Sequence, residues 1–337
     1  MHFLSDNTAS VCPEILAALE RANTGQAKAY GEDPWSAQLD AVLAEFFQAP
    51  VRAFALATGT AANALAIATL SPPYGAILAH EEAHIVCDEC GAPEFMSGGA
   101  RLVLVAGEHG KLTPDSVAAA LDAHPVSVHS VQPAVLSLTQ ATELGTAYRP
   151  AELAALAELA HRRGLKVHLD GARLANALAF LGCTPRELTA HAGIDVLSFG
   201  ATKNGALAAE AVVFFDRGLV ADFELRRKRA GHLLSKHRYI SAQLTAYIQT
   251  GVWLRNAQRA NALARRIGAA AGARLLHPVE ANEVFVRLGD AGKQALRAQG
   301  FEFYDWGAAS TGQTRFVVSW DQREEDVAAL CAALARL

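Results

Sequence analysis

The sequence predicts an α/β fold, with a large domain on a mainly parallel sheet followed by a smaller α+β domain. Three observations predict it. Short apolar runs alternate with amphipathic, Ala- and Leu-rich stretches as far as about Phe215, and such strand–helix alternation calls for parallel strands with helices on both faces. Beyond Phe215 the alternation gives way to long helical stretches with only two strand-like runs. Finally, 337 residues are more than one ordinary core serves. The division is placed at 1–245 for the large domain with its N-terminal arm, and 246–337 for the small one.

In chain order, residues 53–57, 76–80, 101–105, 134–138, 166–170, 196–200 and 211–215 read as strands, each short and mostly followed by turn residues. Helical spacing fills 61–70, 113–123 and 151–163, with Gly164 after the last as its C-terminal stop. The tail reads as a basic helix over 223–236, a long helix over 241–271, a strand over 283–288, a helix over 291–298, a strand over 314–320 and a final helix over 324–336. In such sheets ligands sit at the carboxyl ends of strands, so residues there are the first candidates for chemistry.

Composition excludes several classes. Lys and Arg number 30 against 34 Asp and Glu, a net charge of −4. That balance lacks the basic footprint a nucleic-acid binder needs. Five cysteines without dense spacing suit a reducing compartment better than a disulfide scaffold. Cys87 and Cys90 form a C-x-x-C pair, but no second Cys/His pair completes a metal site, so two partly buried thiols in a turn are expected and no metal. The N-terminus shows no basic stretch before an apolar run, and no run is long enough to span a bilayer. A cytoplasmic protein is expected.

Three segments carry chemistry. In His168-Leu169-Asp170-Gly171-Ala172-Arg173 a carboxylate ends a buried strand, which is costly without a partner. A protonated pyridine nitrogen, as in pyridoxal phosphate (PLP), is one such partner. A cap on the following helix is the equal alternative for Asp170. In Asp195 to Gly205 a strand ends in small residues and then Lys203, an amine placed to reach back into the cleft and hold PLP covalently. Asp170 and Lys203 lie one strand–helix–strand unit apart. Thr58-Gly59-Thr60-Ala61-Ala62-Asn63 stands between a strand and a helix, where backbone N–H groups and the Thr60 hydroxyl can meet a phosphate.

These segments, with Leu4-Ser5-Asp6-Asn7, Tyr30-Gly31-Glu32-Asp33-Pro34, Ala83-His84-Ile85, Ser198-Phe199 and Thr314-Arg315-Phe316-Val317, resemble the threonine aldolase family of fold-type-I PLP enzymes over nearly the whole chain. The stretches 88–95, 132–133, 139–143 and 200–205 resemble its phenylserine aldolase and low-specificity L-threonine aldolase branch. The resemblance implies that Lys203 holds PLP, Asp170 pairs with its ring nitrogen, and Gly59 and Thr60 bind its phosphate. It implies that His84 stacks on the ring near the substrate hydroxyl, and that His129 contacts that hydroxyl as a second histidine. Ser5, Arg173 and Arg315 would hold the substrate carboxylate, with Arg173 also close to the cofactor. Tyr30 is a candidate for reaching a neighbouring subunit's substrate.

The family's usual basic phosphate ligands do not line up, because Ala230 and His237 occupy their places. Arg229, Lys236 and Arg238 lie close by and could serve instead. The implied activity is retro-aldol cleavage of an L-β-hydroxy-α-amino acid to glycine and an aldehyde, the substrate being a small-molecule amino acid. The rival is a PLP-dependent β-elimination on the same scaffold. A homodimer or homotetramer with active sites at the subunit interface is implied as well.

Overall fold

The structure, a computed structural model, describes residues 1–337, the Ala309 side chain excepted. Its main sheet has seven strands: β1 (Arg52–Leu56), β2 (Gly75–His80), β3 (Arg101–Val105), β4 (Gln132–Thr139), β5 (Lys166–Gly171), β6 (Val196–Gly200) and β7 (Glu210–Phe214). They lie in the order β1-β7-β6-β5-β4-β2-β3, and β7 alone runs antiparallel to its two neighbours. The sheet is therefore mainly parallel, with helices packed on both faces.

Side chains of period two supply both faces. Ala53, Ala55, Leu136, Leu138, Val167, Leu169, Leu197 and Phe199 enter one core. Phe54, Leu56, Val135, Val196, Val212 and Phe214 enter the other, packed against the helix Gly59–Leu70. That helix is apolar all round because it is covered all round. A second sheet of three antiparallel strands, β8 (Glu283–Arg287), β9 (Tyr304–Trp306) and β10 (Gln313–Val317), has the order β8-β10-β9. Its core includes Phe3, so the N-terminal arm crosses to it: Phe3 N donates to Glu302 O and Val317 N donates to Phe3 O.

Three expectations are corrected. The basic helix read over 223–236 ends at Arg229, giving Phe223–Arg229. The single helix read over 241–271 is two, Arg238–Gln249 and Val252–Ala271, divided at Gly251, whose φ of 70° no helix continues through. The two thiols of the C-x-x-C turn are exposed, and the buried residue between them is Glu89. Among the described residues, no helix is long and apolar enough to cross a membrane.

Candidate active site

The carboxyl ends of β1, β5 and β6 open into a cavity of about 260 Å³, lined by Gly59, Thr60, Asn63, His84, Asp170, Lys203 and Glu210 among others. Five residues singled out from sequence are thus brought together: Gly59, Thr60, His84, Asp170 and Lys203.

Asp170 is held as an acceptor and not as a cap. Its Oδ1 accepts from Ala172 N at 3.0 Å and its Oδ2 from Asn63 Nδ2 at 2.8 Å, while the next helix, Leu174–Leu181, starts from Arg173 without a side-chain cap. Asn63 donates through the same Nδ2 to Glu89 Oε1 at 2.8 Å, and Glu89 Oε1 accepts from His84 Nδ1 at 2.8 Å. One chain of contacts therefore runs Asp170–Asn63–Glu89–His84. The hydrogen bond to Glu89 raises the His84 pKa, against burial, which lowers it. Burial pushes the Glu89 carboxyl up in turn. Neither Asn63 nor Glu89 stood out from sequence as a site residue. Asn63 hid in the phosphate motif, and Glu89 hid between two cysteines.

Behind Asp170, His168 bridges Ser137 Oγ (2.9 Å) and Ser198 Oγ (3.0 Å), tying β4, β5 and β6 together. Burial pushes its pKa down to about 4, so it is a neutral strut near pH 7. Lys203 is half-buried in a tight turn after β6. Asn204 Nδ2 anchors that turn to Tyr247 OH (2.6 Å) and Trp253 O (2.8 Å). Gly205, at φ 114°, lies so close to Asn256 and Cys12 that a Cβ would stand 2.8 Å from Asn256 Nδ2. Glu210, opposite on β7, is buried, and burial raises its pKa to about 7.

Gly59 opens the helix Gly59–Leu70, whose Thr58 hydroxyl caps Ala61 N at 3.3 Å. A Cβ at Gly59 would meet nothing within 4 Å, which leaves room above the free N–H groups for an anion. A buried fixed carboxylate, a lysine in a rigid turn and a roomy helix start in one cavity fit PLP's ring nitrogen, aldehyde and phosphate.

The carboxylate-binding candidates lie beside this cavity. Arg173 is buried and bidentate to Asp6, Nε–Oδ2 2.7 Å and Nη2–Oδ1 3.1 Å. Burial alone would raise the Asp6 carboxyl, but the Arg173 guanidinium holds it at about 2. Arg315 sits over the Trp306 ring at 4.7 Å. Ser5 Oγ accepts from Asn7 N at 3.2 Å, and Asn7 lines the cavity.

Four further predicted site residues do not line this cavity either. His129 is exposed and precedes β4, so it stands at the end of the sheet opposite Asp170, roughly 20 Å away at strand rise. Tyr30 lines a separate cavity with Arg227 and His237, and Lys228 lies over its ring at 4.6 Å. Arg229 lines a third cavity with Phe95 and Leu225, and Lys236 is exposed. None of the four lines the cavity that holds Asp170 and Lys203 in its own chain.

Comparison with known proteins agrees with this geometry. A family model described as Beta-eliminating lyase matches residues 2–291. The chain is 45% identical over 335 residues to the low specificity L-threonine aldolase of Pseudomonas sp. (strain NCIMB 10558), covering 98% of this chain and 96% of that one. It is also 45% identical over 329 residues to the low specificity L-threonine aldolase of Pseudomonas aeruginosa, covering 96% and 94%. Among solved structures, a Leishmania major threonine aldolase superposes with a TM-score of 0.92 at 26% identity, over 99% of this chain and 98% of that one. A carboxylate–lysine cavity on a mainly parallel sheet and near-full-length identity to aldolases lead to one conclusion: the chain belongs to the beta-eliminating lyase family, as a PLP-dependent lyase of fold type I in its threonine aldolase group.

Proposed function

We propose that the protein cleaves L-β-hydroxy-α-amino acids (threonine, allo-threonine or phenylserine) to glycine and an aldehyde by retro-aldol chemistry. The observation that carries this is the convergence of His84, Asp170 and Lys203 in one cavity. The identity to two low specificity L-threonine aldolases supports it.

When bound, PLP supplies an electron sink for the breaking Cα–Cβ bond. Lys203 is the amine that holds it, from a turn fixed by Asn204. Asp170 would pair with the ring nitrogen, and Asn63 keeps Asp170 aimed. The N–H groups of Gly59 and Thr60 would receive the phosphate. Arg315 and Arg173, with Ser5, orient the substrate carboxylate, for which the guanidinium fork is well shaped. His84 lines the same cavity and would lie beside the reacting group. Its Nδ1 is committed to Glu89, so Nε2 is the nitrogen left to take the hydroxyl proton, directly or through a water.

The four residues away from their own cavity are explained by a cytoplasmic homodimer or homotetramer that brings Tyr30, His129, Arg229 or Lys236 to a neighbour's cavity. Exposed Phe95 and Leu225 beside Arg229 support a covered face there. The division at 245/246 is retained as part of this reading, with the N-terminal arm bridging both units.

The family's description favours one other reading, β-elimination. Incubating the holoenzyme with the threonine isomers and phenylserine separates the two. Glycine and aldehyde in equal amounts are expected, and a 2-oxo acid with ammonia would establish elimination instead.

A further inference from the structure

One buried carboxylate has no part in the chemistry above. Glu283, the first residue of β8, has a fully buried side chain, and neither of its carboxylate oxygens has a hydrogen-bond partner. Its Oε1 lies 3.4 Å from Arg173 Nη2 and 3.7 Å from Arg315 Nη1. It therefore stands between the two guanidinium groups proposed to receive the substrate's carboxylate. Arg315 Nε is likewise buried without an acceptor, so that fork has capacity to spare.

The charges around it are unbalanced. The groups facing Glu283 are Arg173 beyond β5, Arg315 on β10, Asp6 in the N-terminal arm and Glu143 in the turn after β4. Counting Glu283, two cations meet three carboxylates, and Lys203 is the further cation whose field reaches Asp6. Adding a substrate carboxylate to a cluster already in anionic excess is unfavourable in a desolvated site.

We propose that Glu283 is a built-in competitor for the substrate's carboxylate: it shares Arg173 and Arg315 before substrate binds and yields them, taking up a proton, when that carboxylate arrives. Burial, which raises the Glu283 pKa well above the usual carboxylate range, lets Glu283 hold that proton near neutral pH. Glu283 is a positioning residue, acting through the two arginines. The proton comes from solvent and returns to it when product leaves.

This inference rests on the aldolase reading for the identity of the carboxylate site. Its test is calorimetry of glycine binding to the holoenzyme, in buffers of different ionisation heat, for the parent and Glu283→Gln. Above neutral pH the parent should take up about one proton more per glycine than the variant, which cancels the amine's own contribution. Glu283→Gln should bind glycine about tenfold more tightly there, with the gap closing as pH falls. KM should fall more than kcat changes. Equal proton counts in the two proteins, or no glycine binding, would overturn the inference.

Should the variant not load cofactor, acetate is the probe on the parent alone. Its binding must strengthen as pH falls, and a flat profile overturns the inference. The two readings fail separately. Aldehyde release with equal proton counts sinks this one, whereas Glu283-linked proton uptake without aldehyde release sinks the aldolase reading.

Discussion

Asp170 is a carboxylate taken out of water at the end of β5, and the donors Ala172 N and Asn63 Nδ2 offset the cost of its burial. Asp170→Asn keeps the shape and removes the charge, so kcat should fall by about 10²–10³-fold, as for loss of a preorganised electrostatic group. A near-normal kcat would reduce Asp170 to a structural acceptor. Glu89 acts on His84 at the same scale. The Glu89 hydrogen bond raises the His84 pKa, so Glu89→Gln should lower it and move the acidic limb of the kcat/KM profile to lower pH. An unmoved limb would remove His84 as the base. Asp170 and Lys203 were legible because one lies at the end of an apolar strand and the other just beyond one, each beside small residues. Glu89 was not, because its importance comes from contacts with Asn63 and His84 across a turn that the cysteines made conspicuous. Nor was the engagement of Arg173 by Asp6, 167 residues away, which no local pattern announces.

Elements were legible where a single period ran between clear stops. The strands at 76–80, 101–105 and 196–200 match β2, β3 and β6 to within one residue. Gly251 failed as a signal because amphipathic helix flanks it on both sides, and a glycine inside such a pattern is often tolerated. The helices Pro13–Ala22, Leu39–Phe47 and Leu174–Leu181 escaped notice because their alanines and leucines merge with the general composition. At this scale β7 carries a testable burden, Glu210. Its folded pKa is raised from 4.5 to about 7 by burial, so the folded state holds that proton more tightly than the unfolded chain. The associated stability is full below about 4.5 and is lost as pH rises through about 7. Glu210→Gln should therefore exceed the parent in stability above neutrality by up to about 3 kcal/mol. Thermal unfolding of both proteins across pH measures the difference, and parallel curves would contradict it.

The whole molecule places its chemistry where one sheet ends and a second, smaller sheet supplies Glu283 and Arg315. It leaves Tyr30, His129, Arg229 and Lys236 facing elsewhere. An assembly that shares these residues between cavities should appear as a dimer or tetramer by light scattering. Mixing inactive Lys203→Ala subunits with inactive Lys236→Ala or His129→Ala subunits should then restore part of the activity, because some mixed cavities hold no substitution. An active monomer would contradict the sharing.

All of this depends on one amine. The most direct test is to reduce the holoenzyme with borohydride, which fixes the cofactor on the lysine that carries it, and to map the labelled peptide. The label should fall on Lys203, in the segment Ser198 to Gly205. A label on any other lysine would contradict the account, because the cavity described here would not be the one that binds the cofactor.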